Sequence, residues 1–324
     1  MKTNQSAGFF NFTVGALALT AVTDGHVYVK RVRPVQHPES SAAEIEAAQR
    51  SAAVDKVLAE NFVSVDVIDG GVNMLVIQKE EKIILIDTGF GYMGDQAVEL
   101  PPNLMMVPGV VRKAGKLLDN LLDAGISTDD ITDIILTHAH IDHLGGILDA
   151  NGNKVFKNAA VHIGKVEYDF WTSENPDFSN SKAPDNLPTL NLARYTLGKI
   201  ADDLVFFNDG DILFNAIQVI IAPGHTPGQA VLRIFSGDEE LLHIVDIAHT
   251  PELVFPHPEW GATLDTDFYQ AIATRRIYFE NLAQSKQRAF GCHLPWPGLG
   301  FVRKNGDGYQ WVPQTYSTPQ LFDY

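Results

Sequence analysis

The chain has 324 residues, 45% of them hydrophobic and 20% charged, a balance suited to a globular protein with a substantial buried core. Its formal net charge is -16, which two bound divalent cations would reduce only to -12, so its surface repels phosphate backbones and no nucleic-acid partner is expected. No stretch approaches the roughly 18 apolar residues of a membrane span, and the single cysteine, Cys292, excludes an intramolecular disulfide.

The first elements lie in an apolar run. Residues 9–22 follow Lys2 and contain Ala16-Leu17-Ala18, imitating a secretory signal. Asn11 and Thr13 interrupt that pattern. The alternation of Phe10, Phe12 and Val14, then of Leu17, Leu19 and Ala21, predicts instead a β-hairpin turning at Gly15 and closed by Asp24-Gly25. The compartment stays open between cytoplasm and export.

Residues 40–58, rich in Ala and Glu, predict a helix. Strands are predicted over residues 65–68, 73–78 and 82–87, the last ending in Asp87-Thr88-Gly89. A glycine-rich loop with Phe90, Tyr92 and Met93 follows. Residues 101–108 are irregular, 110–124 predict a helix, and Ser127-Thr128-Asp129-Asp130 opens a shorter one. Residues 131–136 read as a buried strand running into His138. The second half predicts strands over 160–163, 217–222, 230–236, 241–245 and 288–291, a surface loop over 174–190 and a helix over 267–284. Interleaved strands and helices without a linker predict a single layered, sandwich-like α/β domain over residues 1–324.

Chemistry concentrates after the buried strand, in Thr137-His138-Ala139-His140-Ile141-Asp142-His143-Leu144-Gly145-Gly146. Four strong ligand side chains in six positions are costly to bury without a cation to compensate them. Three more candidates stand at predicted strand ends: His225 in a turn fixed by glycines and prolines, Asp246 after residues 241–245, and His293 after Cys292. His162, His243, His249 and His257 read as surface or core groups, with contact to the active-site cleft the alternative for His249, three residues past Asp246, and His26 and His37 read as loop residues.

His138-Ala139-His140-Ile141-Asp142-His143, followed by His225, Asp246 and His293, resembles the HxHxDH…H…D…H pattern of the metallo-β-lactamase superfamily. Asp169-Phe170-Trp171, Gly224-His225-Thr226-Pro227-Gly228, His293-Leu294-Pro295-Trp296-Pro297-Gly298-Leu299-Gly300 and the tail from Gly306 to Pro313 resemble its methyl parathion hydrolase branch, which includes N-acyl-homoserine lactone lactonases. The resemblance implies an αββα sandwich whose first strand matches residues 15–22. It implies that His138, His140 and His225 bind one metal, Asp142, His143 and His293 a second, and that Asp246 bridges them. Asp142 and Asp246 are then catalytic as well as ligating. Two divalent ions about 3.5 to 4 Å apart share a hydroxide in such sites, and with both aspartates the centre carries a charge of about +1, suiting a neutral substrate that becomes an oxyanion. Zinc is the default metal, with Mn, Co or Fe fitting the same ligands. Asp87 is placed to orient a ligand histidine. The superfamily usually has Gly before the bridging Asp; here Val245 stands there.

The implied activity is metal-dependent hydrolysis of a small neutral substrate with an apolar portion. Opening of N-acyl-homoserine lactones (quorum quenching) by the metal-bridging hydroxide is the first reading, favoured by the long loop over residues 90–108. Phosphotriester hydrolysis with aryl leaving groups is the second. A β-lactamase would need a Lys or Arg for the substrate carboxylate that cannot be placed, and a non-catalytic metal-binding module is the remaining alternative. Trp171, Phe170, Phe90 and Met93 are candidates for an apolar substrate wall, while plain core packing competes for Phe170 and Met93. Two copies could pair through the N-terminal hairpin and the loop after Gly91, giving a homodimer.

Overall fold

The computed structural model describes residues 8–30, 52–95 and 110–315. In chain order its strands are β1 (Phe9–Val14), β2 (Leu17–Lys30), β3 (Val67–Lys79), β4 (Lys82–Ile86), β5 (Val110–Lys113), β6 (Asp133–Leu136), β7 (Ala160–Gly164), β8 (Leu204–Phe207), β9 (Ile212–Leu213), β10 (Ile217–Ile221), β11 (Ala230–Ser236), β12 (Glu239–His243), β13 (Ala289–Phe290), β14 (Leu299–Asn305) and β15 (Gly308–Pro313). The α-helices are α1 (Ala52–Glu60), α2 (Leu117–Asp123), α3 (Ile141–Leu144), α4 (Lys165–Thr172), α5 (Leu187–Lys199), α6 (Pro251–Val254) and α7 (Phe268–Ser285).

One sheet runs β1-β2-β3-β4-β6-β7-β8, with β5 pairing the far half of β2, and the other runs β15-β14-β13-β12-β11-β10-β9. Strands β4, β6, β7 and β8 are parallel. Parallel neighbours need crossover connections, and these carry α2, α4 and α5 onto the outer face. The period-two alternation of a strand then sorts its side chains into layers. Leu75 and Ile77 of β3, with Leu19, Ile84, Ile86 and Ile135, meet Val219, Leu232, Ile234, Leu241 and Phe290 between the sheets. Met74 and Val76 face the opposite way, against Leu117 and Leu121 of α2, Trp171 of α4 and Leu197 of α5. The second sheet covers its outer face with Phe279 and Leu282 of α7. The result is the expected αββα sandwich.

Residues 9–22 form the antiparallel hairpin about Gly15 (φ +54°), but β2 does not close at Asp24-Gly25. It passes through a bulge there and continues to Lys30, so His26 lies in a strand rather than a loop. The strands expected over 65–68 and 73–78 are one strand, because Gly70-Gly71 stay in register with Val27 and His26. The helix expected over 110–124 is instead β5 followed by α2. The β-branched pair Val110-Val111 favours an edge strand, Gly115 (φ +84°) turns the chain, and the Asp24 carboxylate accepts the Leu117 N–H at 2.9 Å to start the helix. Residues 127–130 form only a turn, closed by the Asp130 carboxylate on the Ser127 N–H. Helix α5 begins inside the expected loop over 174–190. Residues 40–51 of the expected first helix, residues 101–108 and His37 lie outside the described residues.

Candidate metal centre

All four residues of β6 are buried, and the strand delivers His138 into the interior at its C-terminal end. The chain then turns, and α3 places Asp142 and His143 on its single turn. From the second sheet, His225 follows β10, Asp246 follows β12 and His293 follows β13. Both sheets therefore end their strands on the same point.

Three of the five rings are held from behind. His143 Nδ1 lies 2.8 Å from Asp87 Oδ2, His225 Nδ1 2.8 Å from Asp265 Oδ1, and His293 Nδ1 2.8 Å from the Gly71 carbonyl. Nδ1–H donation in each case turns Nε2 inward, the arrangement that orients metal-binding imidazoles. Asp246 stands among the Nε2 atoms: Oδ1 is 3.3 Å from His143, and Oδ2 is 3.2 Å from His293, 3.4 Å from His225 and 3.8 Å from His138. Asp142 Oδ2 lies 3.3 Å from His293 Nε2, and His140 Nδ1 lies 2.8 Å from His225 Nε2.

The electrostatics are lopsided. Burial and the neighbouring His143 push His138 well below the ordinary histidine range, and burial with His225 does the same to His140. Burial also opposes charge on His143 and His293, yet the carboxylates around them win: Asp246, Asp87 and Asp142 hold His143 well up, and Asp246 with Asp142 pushes His293 up to about 10. His138 Nε2, His143 Nε2 and Asp246 Oδ1 are buried without a hydrogen-bond partner. An unpaired buried polar atom costs about 1–3 kcal/mol, and divalent cations bound at the two donor groups would satisfy all three. The donor atoms of His138, His140 and His225 lie within 4.8 Å of one another, as do those of Asp142, His143, Asp246 and His293. Imidazoles and carboxylates in this number fit zinc-type divalent cations.

The metallo-β-lactamase superfamily model matches residues 67–286, which hold six of the seven residues just described. The chain belongs to the metallo-β-lactamase superfamily. It is similar to a "probable metallo-hydrolase" of Mycobacterium tuberculosis (24% identity over 194 residues, covering 54% of this chain and 56% of that protein). It is also similar to an N-acyl homoserine lactonase of Bacillus thuringiensis (27% over 184 residues, covering 55% and 64%). The match thus spans between half and two thirds of these curated relatives. Among solved structures it resembles AidC, described as a dizinc quorum-quenching lactonase in complex with an N-acyl-L-homoserine product, at 36% identity with a TM-score of 0.82, covering 96% of this chain and 99% of that one. A β-lactamase-superfamily hydrolase, AbOPH, shares the fold at 24% identity and a TM-score of 0.79, covering 97% and 100%.

Val245 stands where the resemblance implies a glycine, and its backbone takes a conformation that suits one. Val245 has φ +50°, a left-handed conformation that a β-branched residue rarely adopts. Asp246 still faces both donor groups, so the valine accepts the strain in place of the glycine.

The aromatic candidates separate. Phe90, Met93 and Trp171 are buried in the core beneath the outer helices, while Phe170 is half-buried against Trp171 and Phe178. Trp171 meets His140 edge-on, with ring centroids 5.7 Å apart. Of the other histidines, His162 bonds Asp133, His257 stacks on Trp260 and His26 pairs with Asp69, all away from the centre. His243 is fully buried and accepts the Val245 N–H. His249, read from sequence as a surface or core group, enters the site instead: its Nε2 is 3.2 Å from Asp246 Oδ2 and its ring stacks on His293. Sequence reasoning also missed Asp265, Arg275 and Glu167. None stands in a recognisable motif, and only the Glu167/Trp171 spacing of one helical turn gave a signal.

Proposed function

We propose that this superfamily member is a two-metal hydrolase that opens N-acyl-homoserine lactones. The observation that carries the reading is the set of imidazoles whose Nδ1 atoms are tied to Asp87, Asp265 and Gly71 while their Nε2 atoms converge on Asp246. Likeness to AidC over 96% of the chain supports the lactone as substrate and zinc as the metal. His138, His140 and His225 would hold one cation, and Asp142, His143 and His293 the other, with Asp246 between them. Bound there, divalent cations supply Lewis acidity to a carbonyl oxygen and make water nucleophilic at neutral pH.

The protein's own groups do the rest. A water oxygen bonds to the lactone carbonyl carbon and gives up a proton, the ring C–O bond breaks, and that proton passes to the departing alkoxide to give the hydroxy acid. Asp246, with His249 Nε2 3.2 Å from its Oδ2, would carry that proton. The acyl chain lies against the half-buried Phe170 and Phe178, with Trp171 backing them.

Turnover of N-hexanoyl-homoserine lactone and of methyl paraoxon by zinc-loaded protein tests this. Lactone opening is expected to dominate. Paraoxon turnover without lactone turnover would make the chain a phosphotriesterase, and tight zinc binding without either would make it a metal-binding module.

A further inference from the structure

Glu167 is a carboxylate with no exposed surface, and no part of the chemistry above uses it. Its two oxygens accept four hydrogen bonds. Oε1 receives the Ala139 N–H at 2.9 Å and the Trp171 indole N–H at 2.7 Å; Oε2 receives the Thr226 hydroxyl at 2.7 Å and the Gly228 N–H at 2.9 Å. The donors' positions matter more than their number. Ala139 is the residue between His138 and His140, and Thr226 is the residue after His225. One side chain on α4 therefore grips both chain segments that present the His138/His140/His225 group, from opposite sheets.

The surrounding contacts agree. A Cβ on Gly228 would stand 2.3 Å from the Glu167 nitrogen, so only glycine lets the His225 segment seat on the first turn of α4. The indole held by Oε1 packs against His140 itself. By contrast, none of the four donors lies beside Asp246 or His293, and the one on the His138–His143 turn, Ala139, is flanked by His138 and His140 and stands three residues before Asp142.

We propose that Glu167 is a positioning residue for one metal subsite, setting the spacing of His138, His140 and His225 by clamping Ala139, Thr226 and Gly228, and leaving the other subsite alone. The proposal rests on the two-metal reading of the centre. Glu167→Gln keeps the shape, but its amide NH₂ faces two donors it cannot accept from. Outer partners of metal ligands typically change affinity by about 10- to 100-fold.

The test is zinc titration of metal-free protein against a chromophoric chelator. Wild type is expected to take up two equivalents, and E167Q to hold one as wild type does and the other at least about tenfold more weakly. Thr226→Val, which removes a single donor, should weaken the same equivalent by less and serves if E167Q does not fold. Wild-type affinity for both equivalents in both variants, or equal weakening of both in a variant with a native circular dichroism spectrum, overturns the proposal. A wild type that binds fewer than two equivalents would instead sink the two-metal reading beneath it.

Discussion

Arg275 lies wholly inside the protein on α7, where its guanidinium donates to the carbonyls of Ile247, Pro258 and Trp260 and stands 3.6 Å from Asp265. Asp265 in turn holds His225, so a buried cation stabilises the carboxylate that aims a proposed ligand. The Asp265 carboxyl would be raised by burial, and it is held below the ordinary range by the His225 hydrogen bond and by Arg275. Arg275→Met should therefore leave a buried charge and three carbonyls uncompensated, destabilising the protein by about 3–5 kcal/mol. Denaturant unfolding with excess chelator measures this without the metals contributing, and a loss under about 1 kcal/mol would refute the assigned role. The proposed ligands were legible because four of them crowd into six consecutive positions, and His225, Asp246 and His293 complete a known spacing. Asp265, Arg275 and Glu167 were not, because their roles exist only as distances between segments far apart in the chain, whereas His249 stood three residues past Asp246 and only its reach into the site was hidden.

At the scale of elements, Asp24 joins three of them. It sits at the bulge of β2, caps α2 through the Leu117 N–H and holds the loop after β4 through the Phe90 N–H, each at 2.9 Å. Burial pushes its carboxyl up to about 6, against backbone hydrogen bonds from Leu117, Phe90, Gly115 and Lys116. A folded pKa raised above the unfolded value means that the folded state binds the proton more tightly. Asp24's contribution is thus complete below pH 3.8 and is lost as pH rises through about 6. The loss amounts to about 3 kcal/mol at one pKa unit per 1.36 kcal/mol. Measured by unfolding at several pH values, the stability of wild type minus that of Asp24→Asn should fall by about that amount between pH 4 and 6 and then level off. A difference that grows with pH would show the four N–H groups outweighing burial. The same contacts explain the misread helix over residues 110–124: its hydrophobic pattern was visible, but the cap that starts α2 comes from a strand about ninety residues earlier. Strands were easier to read because their alternation is local, whereas α5 opens with Pro188 in a polar stretch that reads as loop.

Across the whole molecule, the two sheets meet along an apolar interior and again at the candidate metal centre. The first sheet supplies His138, His140, Asp142 and His143 after β6, and the second supplies His225, Asp246 and His293 after β10, β12 and β13. Each proposed subsite draws on both sheets, so a bound cation cross-links the halves of the sandwich and binds the folded state alone. Free metal at a thousandfold excess over its dissociation constant stabilises by about 4 kcal/mol per site. At an unfolding entropy of roughly 2 cal/mol/K per residue, a chain of 324 residues shifts its melting midpoint by about 1.5 °C per kcal/mol, so removing both metals should lower it by on the order of 10 °C. Differential scanning calorimetry of zinc-loaded protein, of protein stripped with chelator, and of stripped protein with zinc restored reads this directly. His293→Ala gives the internal control, since one subsite survives in that variant and its chelator-sensitive shift should be about half the wild-type one. Equal midpoints with and without chelator would mean that the converging strand ends hold their geometry without cations, and the cross-link between the sheets would have to be abandoned.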